Sequence, residues 1–176
     1  VGMAPSPGKS WTDVFAAEKS GQANPDRDHV LIGKERHDIG RPNDTGYPIR
    51  GIIKNGMLYI RNYEVDRWPA GNPETGYLNC DGGPTKTDVL QGRKLADRSR
   101  FWDLCFGKRP TEELFNVRQD PDCVSNLAEN PRFVELKQVL EQQMTAELTA
   151  QKDPRMLGNG DYFDRIPYVN AGTRNF

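Results

Sequence analysis

The chain has 176 residues with 24 Lys and Arg against 25 Asp and Glu, a net charge of −1. The length fits a single domain over residues 1–176, and the balanced charge argues against a protein that mainly neutralises nucleic-acid phosphates. No apolar run approaches the roughly 20 residues that a membrane helix needs, so we expect no membrane span. The three cysteines allow at most one disulfide. The first residues carry neither a basic nor an apolar signal region, so we expect no targeting signal here.

A β-hairpin is the strongest structural signal in the sequence. Two runs rich in β-branched and aromatic residues, 48–54 and 57–62, flank Asn55-Gly56, a dipeptide typical of a two-residue type I′ turn. Such a turn fixes the register of the two strands. The predicted cross-strand pairs include Ile53 with Leu58 and Arg50 with Arg61.

The two faces of this hairpin differ in character. Arg50 opposite Arg61 is a like-charge pair, which is unfavourable unless a carboxylate or another anion accompanies it. The other face is apolar apart from one glycine, and we expect it to pack on the core. This expected core face consists of Ile49, Gly51, Ile53, Leu58 and Ile60.

The remaining pattern predicts an α+β fold. The other predicted elements are a short helix at about 10–18, a strand at 29–33, a helix at about 85–98, a strand at 112–117 and a long helix from Asn130-Pro131 to about Lys152. The long helix carries an apolar stripe at three-to-four spacing (Phe133, Leu136, Leu140, Met144 and Leu148). We therefore expect a small antiparallel sheet of about four strands, packed by this C-terminal helix and joined by long loops.

The loop after the first strand holds the densest mixture of acid, base and cation in the chain. It contains Glu35, Arg36 and His37 between two glycine-containing segments. The simplest interpretation is a solvated surface in which Glu35 pairs with Arg36 or Arg41. Loops that follow strands also carry many binding sites, so these residues are candidates for recognition. Neither histidine lies at zinc-ligand spacing from a cysteine.

Several segments, in a constant order, resemble the C-terminal part of type I sulfatases, and most of all the branch similar to heparan N-sulfatase (N-sulfoglucosamine sulfohydrolase). The first three are residues 33–37 (GKERH), 46–52 (GYPIRGI) and 58–62 (LYIRN). Residues 113–128 are similar to that family's "ELYDL…DP.E..NLA" stretch, and residues 133–148 to its last helix. The resemblance spans most of residues 8–168.

The resemblance implies a C-terminal subdomain without its catalytic half. Type I sulfatases use a formylglycine made from Cys or Ser in a Cys/Ser-x-Pro-x-Arg motif, together with calcium. The nearest string here, residues 105–109, has Gly107 where the motif has Pro, so we treat it as coincidence. We expect no catalytic residue, no metal ligand and no cofactor in this chain. Calcium and formylglycine would belong to the missing N-terminal domain.

The resemblance also implies a function and partners. The chain would shape the substrate pocket of a sulfatase that hydrolyses sulfate esters or sulfamates of sulfated glycans, with Glu35, Arg36 and His37 facing the sugar. Its partners would be its own N-terminal catalytic domain and the glycan, and an isolated fragment could form a homodimer. The location would be periplasmic, secreted or lysosome-like. The alternative is a stand-alone binding module descended from that subdomain.

Overall fold

The structure is a computed structural model that describes residues 8–22, 24–37 and 40–167. Its centre is a four-stranded antiparallel sheet whose strands follow chain order: β1 (His29–Lys34), β2 (Ile49–Lys54), β3 (Met57–Asn62) and β4 (Glu112–Asn116). The α-helices are α1 (Thr12–Phe15), α2 (Pro84–Gly92), α3 (Ser99–Phe106), α4 (Val134–Ala150) and α5 (Tyr162–Arg165). The predicted α+β fold is confirmed. Among the described residues, no helix is both long and apolar enough to cross a membrane.

The hairpin has the predicted register. Ile53 pairs with Leu58 and Arg50 pairs with Arg61. Both turn residues have positive φ, 52° at Asn55 and 80° at Gly56, as a type I′ turn requires.

The expected core face, in contrast, is wrong. Helix α4 packs on the other face of the sheet, where Ile52, Tyr59 and Leu114 are fully buried. Arg50 and Arg61 also belong to this face, and each lies beside carboxylates. Neutralised in this way, the arginine stems can border the core. The face predicted to be buried carries half-buried Ile49, Ile53, Leu58 and Ile60, and no described helix packs against it.

Helix α4 follows its predicted pattern closely. The Asn130 side chain accepts a hydrogen bond from the N–H of Arg132 at 3.0 Å, so it caps a 3₁₀ turn (Pro131–Phe133) that leads into the helix. Its stripe residues Leu140 and Met144 are buried against the sheet.

A second, smaller core lies beneath the long loop of residues 63–83. Trp68 packs against Tyr77 and Trp102, with ring centroids 6.1 Å apart in both pairs. Tyr77 and Phe106 rings lie 4.7 Å apart. The helix predicted at about 85–98 is observed as α2, which ends earlier, at Gly92. α3 is a separate helix after it, and both helices carry this cluster.

The corrected core face has a direct stability test. We expect Ile52→Ala to lower the free energy of unfolding by about 2–5 kcal/mol, because a fully buried isoleucine leaves a cavity against α4. Its chain neighbour Ile53 is half-buried on the opposite face, so Ile53→Ala should cost clearly less. Urea denaturation of both variants gives the comparison. A larger loss for Ile53→Ala would restore the original face assignment.

A histidine joins β1 to α4. His29 Nδ1 lies 2.7 Å from Asp28 Oδ1, and Nε2 lies 2.8 Å from Glu147 Oε2. Both ring nitrogens face carboxylate oxygens, which favours the doubly protonated imidazolium. Burial alone would lower the pKa of His29, but the hydrogen bonds to these two carboxylates outweigh it and raise the pKa. Lys54, which bonds Asp28 and Gln143, completes the surroundings.

This arrangement makes stability depend on pH. Since the pKa of His29 is raised on folding, its stabilisation is fully present below the unfolded value of about 6.5 and is lost as pH rises through the folded value. We expect wild-type unfolding free energy to fall as the pH rises above about 6.5, and His29→Gln to flatten that fall. Denaturant titrations at several pH values test this. An unchanged slope in the variant would assign the pH dependence to other groups.

Candidate functional site

Two long loops meet beyond the C-terminal end of β1. The Gly40 carbonyl accepts a hydrogen bond from the N–H of Asn72, and the N–H of Asn79 donates to the Ala70 carbonyl at 3.1 Å. Gly40 has φ of 135°, and a Cβ at this position would lie 3.2 Å from Asn79 N and from Gly71 Cα. Glycine is therefore needed where the loops touch. The described residues of these two loops, 35–37, 40–48 and 63–83, form the candidate site, which we call the loop rim.

Glu35 lies in a nearly buried ion-pair network behind the loop rim. Arg155 donates to both of its carboxylate oxygens, at 2.9 and 2.8 Å, and Arg50 Nη2 lies 2.7 Å from Oε1. Arg50 also holds Asp153, with Nε 2.8 Å from Oδ2. The interpretation of Glu35 as part of a solvated surface is wrong, because its partners are Arg50 of β2 and Arg155 of the segment after α4.

The network has matched charge, two guanidinium groups against two carboxylates. Its side chains are 5% exposed at Arg50 and 9% at Arg155. Burial alone would raise the pKa of Asp153, but the hydrogen bonds from Arg50 outweigh it and lower the pKa. The Glu35 carboxylate faces the guanidinium groups of Arg50 and Arg155, which hold this first residue of the loop in place.

Arg36 and His37 have different surroundings. The Arg36 guanidinium donates to the Ile166 carbonyl at 2.6 Å. His37 is exposed, and its Nδ1 lies 2.8 Å from Asn79 Oδ1. With the amide oxygen as acceptor, Nδ1 carries the proton. Nε2 of the neutral ring is then left as a hydrogen-bond acceptor at the surface.

The loop rim also contains buried positive charge. The Arg41 guanidinium is almost fully buried and donates to the Trp68 and Pro69 carbonyls, both at 2.7 Å. Burial lowers the pKa of Arg41 to about 10, and nearby Arg67 adds to the effect. Lys34 Nζ lies 5.5 Å from the centre of the Tyr47 ring, and burial lowers its pKa too. The Asp164 carboxylate, which pairs with Arg67, partly offsets the lowering of the pKa of Arg41.

Sequence reasoning missed several residues that build this rim. Asp164 Oδ1 accepts from the N–H of Gly46 at 2.8 Å, and its Oδ2 lies 2.9 Å from Arg67. A Cβ at Gly46 would lie 2.9 Å from the Glu35 carbonyl oxygen. The glycine in the GYP segment is a usable signal, but nothing local links it to Asp164, 118 residues later. Asn79, the partner of His37, carries no sequence signal.

No metal centre is formed by the described residues. Nowhere in these ranges do three or more His, Cys, Asp or Glu side chains come together in a way that could hold a metal ion. Cys80, Cys105 and Cys123 are free thiols, and Cys105 is exposed on α3. The side chains present here therefore do not fit a calcium site, and no chemical step is assigned to calcium in this chain.

No protein-family model matches the chain. The chain is 32% identical over 136 residues to the "Ulvan-active sulfatase" of Formosa agariphila, an alignment that covers 70% of this chain and 20% of that protein. The chain is thus related to part of a sulfatase and spans about a fifth of the length of this curated relative.

Proposed function

We propose that this chain is the C-terminal, substrate-shaping part of a sulfatase that hydrolyses sulfate esters or sulfamates of sulfated glycans, in the branch similar to heparan N-sulfatase. The observation that carries the proposal is the similarity to one fifth of a sulfatase. On its own the chain would bind but not hydrolyse. Its location would be periplasmic, secreted or lysosome-like, where such glycans occur.

The geometry of the loop rim supports a role in recognition. His37 is held by Asn79 with Nε2 outward, which suits a bond from a sugar hydroxyl. The Arg41 guanidinium, which donates to backbone carbonyls, supplies positive charge, which suits an anionic substrate. Arg36, whose guanidinium also donates to the Ile166 carbonyl, is proposed to face the sugar beside His37. Glu35 then acts as a positioning residue, since Arg50 and Arg155 occupy both of its oxygens.

The proposed partner is an N-terminal catalytic domain of the same polypeptide. The sheet face opposite α4 offers it a surface, since Ile53, Leu58 and Ile60 are only half-buried there. An apolar face of this kind marks an interaction surface. Formylglycine and calcium, which carry out the hydrolysis in type I sulfatases, would reside in that domain.

The second candidate function is a stand-alone binding module that retains the loop rim. It is favoured by the self-contained core of α4 and the sheet. The coding sequence upstream of Val1 separates the two. An in-frame domain with a Cys/Ser-x-Pro-x-Arg motif supports the sulfatase subdomain, whereas a start codon near Met3 supports the module.

A further inference from the structure

The two edge strands of the sheet differ in whether their outward backbone groups are hydrogen-bonded. At the β4 edge, the N–H of Leu114 donates to Asn126 Oδ1 at 2.9 Å, and the Leu114 carbonyl accepts from the N–H of Leu127 at 2.8 Å. The Glu112 carbonyl accepts from the Asn126 amide at 3.2 Å. The loop after β4 therefore covers the outward backbone groups of this edge.

The β1 edge has no such cover among the described residues. The two-residue turn makes Lys54 and Met57 a hydrogen-bonded pair, and alternation along the ladder then directs every second residue of β1 away from β2. The outward residues are His29, Leu31 and Gly33. No described strand lies beyond them, and their outward N–H and C=O groups have no described partner.

This open edge also lacks the usual protection against strand pairing. Natural edges are blocked by proline, bulges, inward charges or very short strands. β1 is six residues long, contains no proline and pairs with β2 without a bulge. Two open cavities of about 530 and 340 Å³ lie along it, and both are lined by Leu31 and Gln151. The larger cavity is also lined by Gly8, Lys9 and Trp11, and the smaller one by Phe163.

We propose that this edge pairs with β1 of a second copy of the chain, antiparallel about a two-fold axis at Leu31. A two-fold interface requires each residue and its partner to exchange roles. Hydrogen-bonded pairs form only when the axis passes through a residue and not between two residues, and the axis at Leu31 is the one that pairs all three outward residues of β1 with one another. The resulting pairs are Leu31 with Leu31, His29 with Gly33, Val30 with Ile32 and Asp28 with Lys34. Two four-stranded sheets then become one continuous sheet with eight strands.

The side chains complement one another in this register. Val30, which is 59% exposed, is covered by the partner copy's Ile32, an apolar cross-strand pair.

One pair of charges flanking β1 is complementary about Leu31, namely Asp28 and Lys34. Arg27 and Glu35 do not take part, because Arg27 pairs with Asp13 and Glu35 is held by Arg50 and Arg155. Lys34, which has no carboxylate partner among the described residues, would meet Asp28 of the second copy. Asp28 already bonds His29 and Lys54 through separate oxygens, but a carboxylate has about four acceptor sites. This complementarity favours a second copy over an unrelated strand.

Sedimentation velocity on the 176-residue chain across a concentration series tests the proposal. We expect a species with twice the 19.9 kDa mass of one chain. Val30→Lys should weaken association by roughly tenfold or more, because it places a charge against Ile32 twice per dimer. Val124→Lys, at a residue that is 42% exposed away from β1, is the matched control and should leave association unchanged.

A cross-link fixes the register independently of those variants. In a background with Cys80, Cys105 and Cys123 changed to Ser, Val30→Cys with Ile32→Cys should form a disulfide-linked dimer on oxidation, because these Cβ atoms lie close across the pair. Val30→Cys alone should not. A chain that stays monomeric at every concentration would overturn the proposal, even if the β1 edge binds some other segment. So would a dimer that Val30→Lys leaves intact, or equal cross-linking by the single variant.

Discussion

Replacing Arg50 with Met is expected to lower the free energy of unfolding by about 3–5 kcal/mol. Arg50 holds Glu35 and Asp153 in a network from which water is largely excluded. Without it, two nearly buried carboxylates share the single guanidinium of Arg155. The loss is therefore the cost of uncompensated buried charge and not of one surface ion pair. Chemical denaturation at neutral pH measures it.

Its cross-strand neighbour provides the control. Arg61 is directly opposite Arg50 in the sheet, but its side chain is 36% exposed and its nearest carboxylate oxygen is 3.7 Å away. Arg61→Met should therefore cost at most about 1 kcal/mol. Similar losses for both variants would show that the Glu35–Asp153 network does not hold the loop in place.

In the intact polypeptide, His37→Ala is expected to lower kcat/KM on a sulfated oligosaccharide by about 10- to 100-fold, the size of one hydrogen bond to a charged or strongly polar group. A small aryl sulfate lacks the sugar that His37 would contact, so its kcat/KM should change little. The ratio of the two substrates is the measurement that matters, because loss of folding would lower both.

Asn79 supplies a matched test of the same contact. Asn79 Oδ1 holds His37 Nδ1. Asn79→Ala should therefore also lower kcat/KM on the oligosaccharide, but less than His37→Ala does. Asn79→Asp keeps an oxygen acceptor for Nδ1 and should retain most of the wild-type kcat/KM. Equal losses on both substrates, or none on either, would assign His37 to the solvated surface.

The sequence predicted the strand pairing far better than it predicted which face is buried. Asn55-Gly56 fixes the register locally, because a two-residue turn admits few alternatives. The choice of face depends on where Glu35 and Asp153 lie, and these residues are distant from the hairpin in sequence. Both hairpin faces contain isoleucines, so alternation alone could not show that carboxylates neutralise the arginine-bearing side.

The candidate site was predictable only in part for the same reason. The cluster Glu35, Arg36 and His37 is visible as a string, yet its members separate into a buried ion pair, a carbonyl contact and an exposed ring. Their roles as sugar contacts stay predictions. The contacts of Asn79 and Asp164 depend on two loops meeting, which no local pattern encodes.

The central claim is that this chain shapes a sulfatase pocket and does not catalyse on its own. Turnover of an aryl sulfate and of a sulfated glucosamine by the isolated chain, with and without calcium and beside the intact polypeptide, tests it most directly. The account predicts hydrolysis by the intact polypeptide and none by the isolated chain. Hydrolysis by the isolated chain that survives Cys105→Ala would contradict it, because the active site would then lie within these 176 residues.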